Sequence, residues 1–184
     1  MSRFFSSRYS DLKAYTPGEQ PRDTVYLKLN TNESPFDPPE AVLKAIAENT
    51  RSLRLYSDPE CLALREKIAE IYGVSPSCVM VDNGSDEGLY FSFLAFCDKN
   101  CGAAFPDITY GFYPVFARFT GTPYNEIPLK EDFSIDISDY FDLNKTIFIA
   151  NPNAPTGMAL TPSQIEQIVI KNPGNMVVID EAYV

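Results

Sequence analysis

The spacing of apolar and polar positions changes part-way along the chain. Pro38 and Pro39 suit the first turn of a helix, where a missing N–H costs nothing. After them Val42, Leu43, Ile46 and Ala47 share one helical face. Asp58 followed by Pro59 reads as the cap and first turn of a second helix. In it Cys61, Leu64, Ile68 and Ile71 recur at helical spacing, Arg65, Glu66, Lys67 and Glu70 lie mostly elsewhere, and Gly73 is the stop. From Cys78 the rhythm becomes strand, loop, helix. Strands are expected at 78–81, 102–105, 146–149 and 176–179. Helices are expected over 89–97, up to Phe119, and after Thr161, where Thr161-Pro162-Ser163-Gln164 is a capping box with proline at the first helical position. Strands alternating with helices predict an α/β fold with a mostly parallel sheet covered on both faces.

Residues 1–38 are richer in Pro, Ser, Asn and Tyr, with one short strand candidate at 25–29. They read as an extended arm, so the division expected is an arm over 1–38 and an α/β domain over 39–184. The sequence stops at Val184, directly after the last strand, and a closing helix would be expected there; an incomplete sheet is the expectation.

The remaining bulk properties exclude rather than select. At 184 residues, 45% hydrophobic and 22% charged, the chain is rich enough in apolar residues to fold. A formal charge of -10 argues against nucleic acid and acidic membranes as partners, but not against a small anion bound locally by backbone amides. No apolar stretch is long enough to span a bilayer, and residues 1–15 lack the apolar core of a signal peptide. Without histidine, and with irregularly spaced cysteines at 61, 78, 97 and 101, reduced thiols in a cytoplasmic protein are expected rather than a metal site or a disulfide framework.

Candidate chemistry gathers at the C-terminal ends of the expected strands, where open α/β sheets bind ligands. Asn83-Gly84-Ser85-Asp86-Glu87 is a strand-to-helix turn: either a plain capped turn or an anion site made from free N–H groups and the helix dipole. Tyr110, just past a strand end, can pack in the core or stack on a planar ligand. Asn153 lies in Asn151-Pro152-Asn153-Ala154-Pro155-Thr156-Gly157, and Asp180 closes an apolar strand three residues before Tyr183. A carboxylate there is costly to bury unpaired, and a protonated heteroaromatic nitrogen would pair with it.

The last two segments resemble the NPxxPTG and DEAY signatures of fold type I pyridoxal-phosphate aminotransferases. Three further stretches (9–21, 29–36 and 55–61), with the turn at 81–87, resemble the opening half of histidinol-phosphate aminotransferases in the same order. The resemblance implies the large cofactor-binding domain of that fold, preceded by an arm and part of a small domain. It implies pyridoxal 5'-phosphate, with Gly84 allowing close approach and the backbone of Ser85 and Asp86 holding the phosphate. Tyr110 would stack on the ring, Asn153 and Tyr183 would bond its phenolate oxygen, and Asp180 would pair its nitrogen. Tyr56 would reach the cofactor of the other subunit of a homodimer, and Tyr15 and Asn32 would border the substrate.

The implied reaction is amino transfer between histidinol phosphate and 2-oxoglutarate in histidine biosynthesis. A different fold type I enzyme (an aromatic aminotransferase or a threonine-phosphate decarboxylase) and an inactive binding module are the other readings. Two departures are small: Leu55 stands where arginine is common, and Ala154 where asparagine is. One is large. Every lysine of the sequence precedes Asp180, whereas the family's Schiff-base lysine follows it. The resemblance therefore places that lysine beyond Val184 and leaves the catalytic role without a residue here. The 184 residues alone are expected to be catalytically inactive.

Overall fold

The computed structural model of the chain describes residues 4, 6–9, 23, 26–27 and 29–183. The elements are α1 (Glu40–Asn49), α2 (Leu62–Tyr72), α3 (Ser85–Phe96), β1 (Ala103–Pro106), α4 (Tyr113–Thr120), β2 (Tyr124–Ile127), β3 (Thr146–Ala150), α5 (Pro162–Lys171) and β4 (Val177–Asp180). Short 3-10 turns punctuate them. Two compact units result, one of residues 1–15 with 83–184, the other of residues 16–82.

The first unit is built on a sheet of order β2-β1-β3-β4 in which every pairing is parallel. β3 is buried along its whole length, and its alternating side chains feed two cores. Phe148 and Ala150 join Leu89 and Phe93 of α3 with Tyr113, Phe116 and Ala117 of α4 on one face. Phe93 and Phe148 stack with ring centroids 4.1 Å apart. Ile147 and Ile149 point the other way, to Tyr140, Leu160 and Ile168 of α5. Helices therefore cover both faces, as a sheet of near-continuous apolar strands requires. The capping box of α5 forms as expected, with Thr161 Oγ1 accepting from Gln164 N–H and the Gln164 side chain accepting from Thr161 N–H at 2.9 Å. Gly102 is required for a different reason: a Cβ there would collide with the carbonyl of Pro123 on the way into β1.

Three local expectations need correction, and one strand was not expected. The second helix begins at Leu62, later than a cap at Asp58 predicts. Asp58 instead closes a turn, its carboxylate accepting from Glu60 N–H and Leu62 N–H, and Cys61 takes the left-handed conformation ahead of the helix. The third begins at Ser85, earlier than Leu89, because Gly84 at φ 82° turns the chain directly into it. No strand forms at 78–81: a 3-10 turn covers Pro76–Cys78, and no described strand pairs with residues 79–81. An apolar run needs a ladder as well as a pattern. Conversely β2, Tyr-Asn-Glu-Ile, has no apolar run to announce it, since as an edge strand it is half-exposed. Residues 25 and 28 of the strand candidate at 25–29 lie outside the described residues, as does Val184 at the other end of the chain.

In the second unit α1 and α2 both form, and Gly73 ends α2 in the left-handed conformation, but the apolar face expected of α2 is not the buried one: Leu64 and Ile71 are exposed, and Ala69 is its buried residue. Arg65 of α2 donates to the carbonyl of Pro76 at 2.9 Å and pairs with Glu60 at 3.2 Å. No side chain of α1 is buried.

Candidate functional site

Because β1, β3 and β4 run parallel, their C-terminal ends meet along one rim of the sheet. Ala150 of β3 stands beside Asp180 of β4 in the ladder, and Asn151 N–H bonds the Asp180 carbonyl at 2.8 Å. Above that rim is a cleft lined by Ser85, Tyr110, Ala150, Ala154, Asp180, Ala182 and Tyr183. Four of the residues singled out in the sequence, from three separate segments, therefore share one space: Ser85, Tyr110, Asp180 and Tyr183.

Ser85 opens α3. Among the described residues, the backbone N–H groups of Ser85 and Asp86 have no acceptor, as expected of the first positions of a helix. Asp86 is drawn aside by the Tyr110 hydroxyl, which donates to its Oδ1 at 2.8 Å. The Tyr110 ring stacks on Phe112 at 5.8 Å. Glu87 folds back to accept from the backbone and side-chain amides of Asn83 at 2.7 and 2.9 Å, which fixes the turn around Gly84.

Asp180 is half-buried at the end of β4. Its Oδ1 accepts from Ala182 N–H at 3.2 Å, and its Oδ2 accepts from the Tyr113 hydroxyl at 3.1 Å. Tyr113 is fully buried, and burial first, then the adjacent carboxylate, pushes its phenol well above the ordinary tyrosine range. It stays a protonated donor at any working pH.

Asn153 has a different setting. It is 2% exposed and does not line the cleft. Its Oδ1 accepts from Thr109, and its amide nitrogen donates to the Ile108 carbonyl at 2.9 Å and to Thr156 at 3.0 Å. Both amide hydrogens are thus engaged in joining two loops. Asn151, which carried no role in the sequence, does similar work: its side chain exchanges hydrogen bonds with the backbone of Leu160 and clamps the 151–160 segment. Thr109 and Tyr113 were also missed. The signal was present, since both lie close to Tyr110 in sequence, but only the folded chain shows where each hydroxyl points.

Tyr56, fully exposed, and Asn32, with φ 52°, belong to the second unit. Tyr15 and Val184 lie outside the described residues, so neither the substrate role expected of Tyr15 nor the place of a lysine beyond Val184 has a structural counterpart here. All four cysteines are free, the described residues contain no cluster of metal-ligating side chains, and no described helix is long and apolar enough to cross a membrane.

A parallel sheet with its cleft at a helix start and a strand-end carboxylate defines a class of small-molecule-binding α/β domain. Comparison with known proteins narrows it. Residues 24–184 match the family described as aminotransferase class I and II, and the chain belongs to that family. It is 49% identical over its whole length to the histidinol-phosphate aminotransferase of Brachyspira hyodysenteriae, of which it covers 52%. It spans about half the length of the curated relatives it matches. Among solved structures, the fold superposes on histidinol-phosphate aminotransferase from Sinorhizobium meliloti in complex with pyridoxal-5'-phosphate. That match has a TM-score of 0.76 and 24% identity, covering 83% of this chain and 43% of the other. A tetra mutant of Thermus thermophilus aspartate aminotransferase gives a TM-score of 0.79 at 22% identity, covering 98% of this chain and 51% of the other. The expected α/β fold with a parallel sheet is therefore the observed one.

Proposed function

We propose that the cleft is the pyridoxal 5'-phosphate site of an aminotransferase. In the whole protein it would serve the transfer of the amino group of glutamate to imidazole-acetol phosphate, giving 2-oxoglutarate and histidinol phosphate in histidine biosynthesis. The observation that carries this reading is the convergence of Ser85, Tyr110, Asp180 and Tyr183 on one cleft at the sheet's C-terminal rim. The high identity to curated histidinol-phosphate aminotransferases supports the choice of substrate.

The residues present fit the cofactor. Free N–H groups at the start of α3, beside the glycine turn at Gly84, offer the phosphate a positive helix end. Tyr110 supplies an aromatic wall. Asp180 supplies a charge for a protonated ring nitrogen, and Tyr183 can donate its hydroxyl to the ring's phenolate oxygen. Pyridoxal phosphate, when bound, supplies an electron sink that lets an amino acid's Cα give up a proton. Asn153 would share the phenolate contact with Tyr183 only by exchanging its bond to Thr156, since its donors are otherwise spent.

The base that moves the Cα proton is the part the 184 residues do not supply, because no lysine follows Asp180. The whole protein would provide it from sequence beyond Val184. It would act as a cytoplasmic homodimer in which Tyr56, exposed on the second unit, reaches the neighbouring subunit's cofactor.

Absorbance titration of the chain with pyridoxal phosphate tests the reading. Reversible binding, weakened at least tenfold by Asp180→Ala and leaving no adduct after borohydride, is the expected result. Equal binding by wild type and Asp180→Ala would overturn it. Transamination of 2-oxoglutarate by histidinol phosphate is expected to be absent with the 184 residues alone.

A further inference from the structure

One loop, between β1 and α4, together with the first residue of α4, delivers three hydroxyls to three other segments, and of the three acceptors Asp180 is the one that lines the cleft. Thr109 donates to Asn153, Tyr110 to Asp86, and Tyr113 to Asp180. The third is the one with an unassigned purpose. Tyr113 lies in the first turn of α4 with its ring among Phe105, Tyr110 and Phe148, at centroid separations of 5.7, 5.7 and 5.9 Å. Phenylalanine would fill that volume equally well. The hydroxyl adds one thing to the packing, a hydrogen bond to Asp180.

We propose that Tyr113 is a positioning residue that holds the Asp180 carboxylate in the orientation needed to receive a protonated pyridine nitrogen. This rests on the cofactor reading above. A carboxylate has about four lone-pair positions. Tyr113 engages Oδ2 and Ala182 N–H engages Oδ1, so the group is gripped at both oxygens and cannot rotate freely, while it still lines the cleft with acceptor capacity to spare. The choice of donor matters. A lysine or arginine in this place would bring an opposing charge, whereas a neutral phenol orients the carboxylate without adding one. The phenol cannot compete for the ring's proton either, because burial and the neighbouring carboxylate keep it protonated.

The test is Tyr113→Phe in the 184-residue chain, read in two ways. Without any ligand, hydrogen exchange at the Ala182 backbone amide reports the grip on Asp180, and the variant is expected to exchange about tenfold faster there while α5 keeps its protection. With pyridoxal phosphate labelled at the ring nitrogen, the nitrogen-15 shift followed against pH should show the ring losing its proton roughly one pH unit lower in the variant. Unchanged exchange at Ala182 together with an unchanged ring titration would overturn the proposal. Failure of the wild-type chain to bind pyridoxal phosphate, or a ring titration indifferent to Asp180→Ala, would instead sink the cofactor reading, with Ala182 exchange still deciding whether Tyr113 orients the acid. Should Tyr113→Phe not fold, Asp180→Ala reads the same bond from its other end. The Tyr113 hydroxyl proton, bonded to Asp180 in the wild type, is then expected to exchange with water about tenfold faster, and no such change would count against the contact.

Discussion

The two units of this chain obey the same sequence rules and end with opposite surfaces. In the unit of the sheet, α3, α4 and α5 each send apolar side chains into cores that exclude water, and Phe93, Phe148, Ile147, Ile149 and Ile168 are fully buried. In the unit of residues 16–82, α1 presents Val42, Leu43 and Ile46 at 45%, 44% and 59% exposure, and α2 buries Ala69 alone. α4 and α5 in the one unit and α1 in the other all carry an amphipathic period. The difference teaches that a period names the face a helix offers for burial, while the sheet decides whether anything lies against it. A four-stranded parallel sheet supplies two apolar faces at once; two short helices and their turns supply none comparable.

The sharpest way to break this comparison is to cut one large side chain from each unit. Phe93→Ala should destabilise the sheet unit by about 3–5 kcal/mol in urea unfolding, as expected for a fully packed aromatic. Ile46→Ala should cost no more than about 0.5 kcal/mol, the range of exposed positions. A comparable loss for Ile46 would mean that its face is covered in solution.

Buried polar groups extend the contrast. Asn172 is 3% exposed, donates to the carbonyls of Tyr140 and Ile168, and accepts from Leu143 N–H. Asn172→Ala should cost about 1–3 kcal/mol, because it strands those partners away from water. A smaller cost, about 1 kcal/mol, is expected when Thr161→Ala removes the cap of α5. Circular dichroism melts would resolve both.

The surface of the sheet unit should behave like the exposed second unit. Hydrogen bonds from Ser138, and then the pair with Lys130, depress the Asp136 carboxyl to about 2. A depressed folded-state pKa means stabilisation that is present above the ordinary carboxylate value and lost as acid is added. Its share should therefore disappear between about pH 4 and about pH 2, and Asp136→Asn should flatten stability over that interval. The group lies at the surface, so the change should be small; a dominant acid transition at Asp136 would contradict its surface setting.

Much of this is legible in the residues alone. The capping box at Thr161 and the stop at Gly73 depend on contacts within a few residues, and each formed; the apolar runs ending at Ile149 and Ile179 formed because each had a ladder to join. The cleft residues Ser85, Tyr110, Asp180 and Tyr183 could be gathered because parallel strands bring their C-terminal ends to one rim. What failed depended on partners far along the chain. Residues 78–81 have the composition of a strand and no described ladder to join, whereas β2 has a polar composition and pairs with β1 because it closes an edge.

Side-chain direction is beyond the sequence for the same reason. Asn153 reads as a ligand contact, yet the fold points its amide into the loops at 108–109 and 156. Tyr113 reads as one more aromatic in a helix, yet its hydroxyl meets Asp180 across 67 residues. The sequence by itself determined periods, caps, turns and the charges available at strand ends, since these follow from local sterics and hydrogen bonding. Tertiary structure alone decided which face found a cover and which donor met which acceptor, since burial and hydrogen-bond geometry are properties of groups brought together only by the folded backbone.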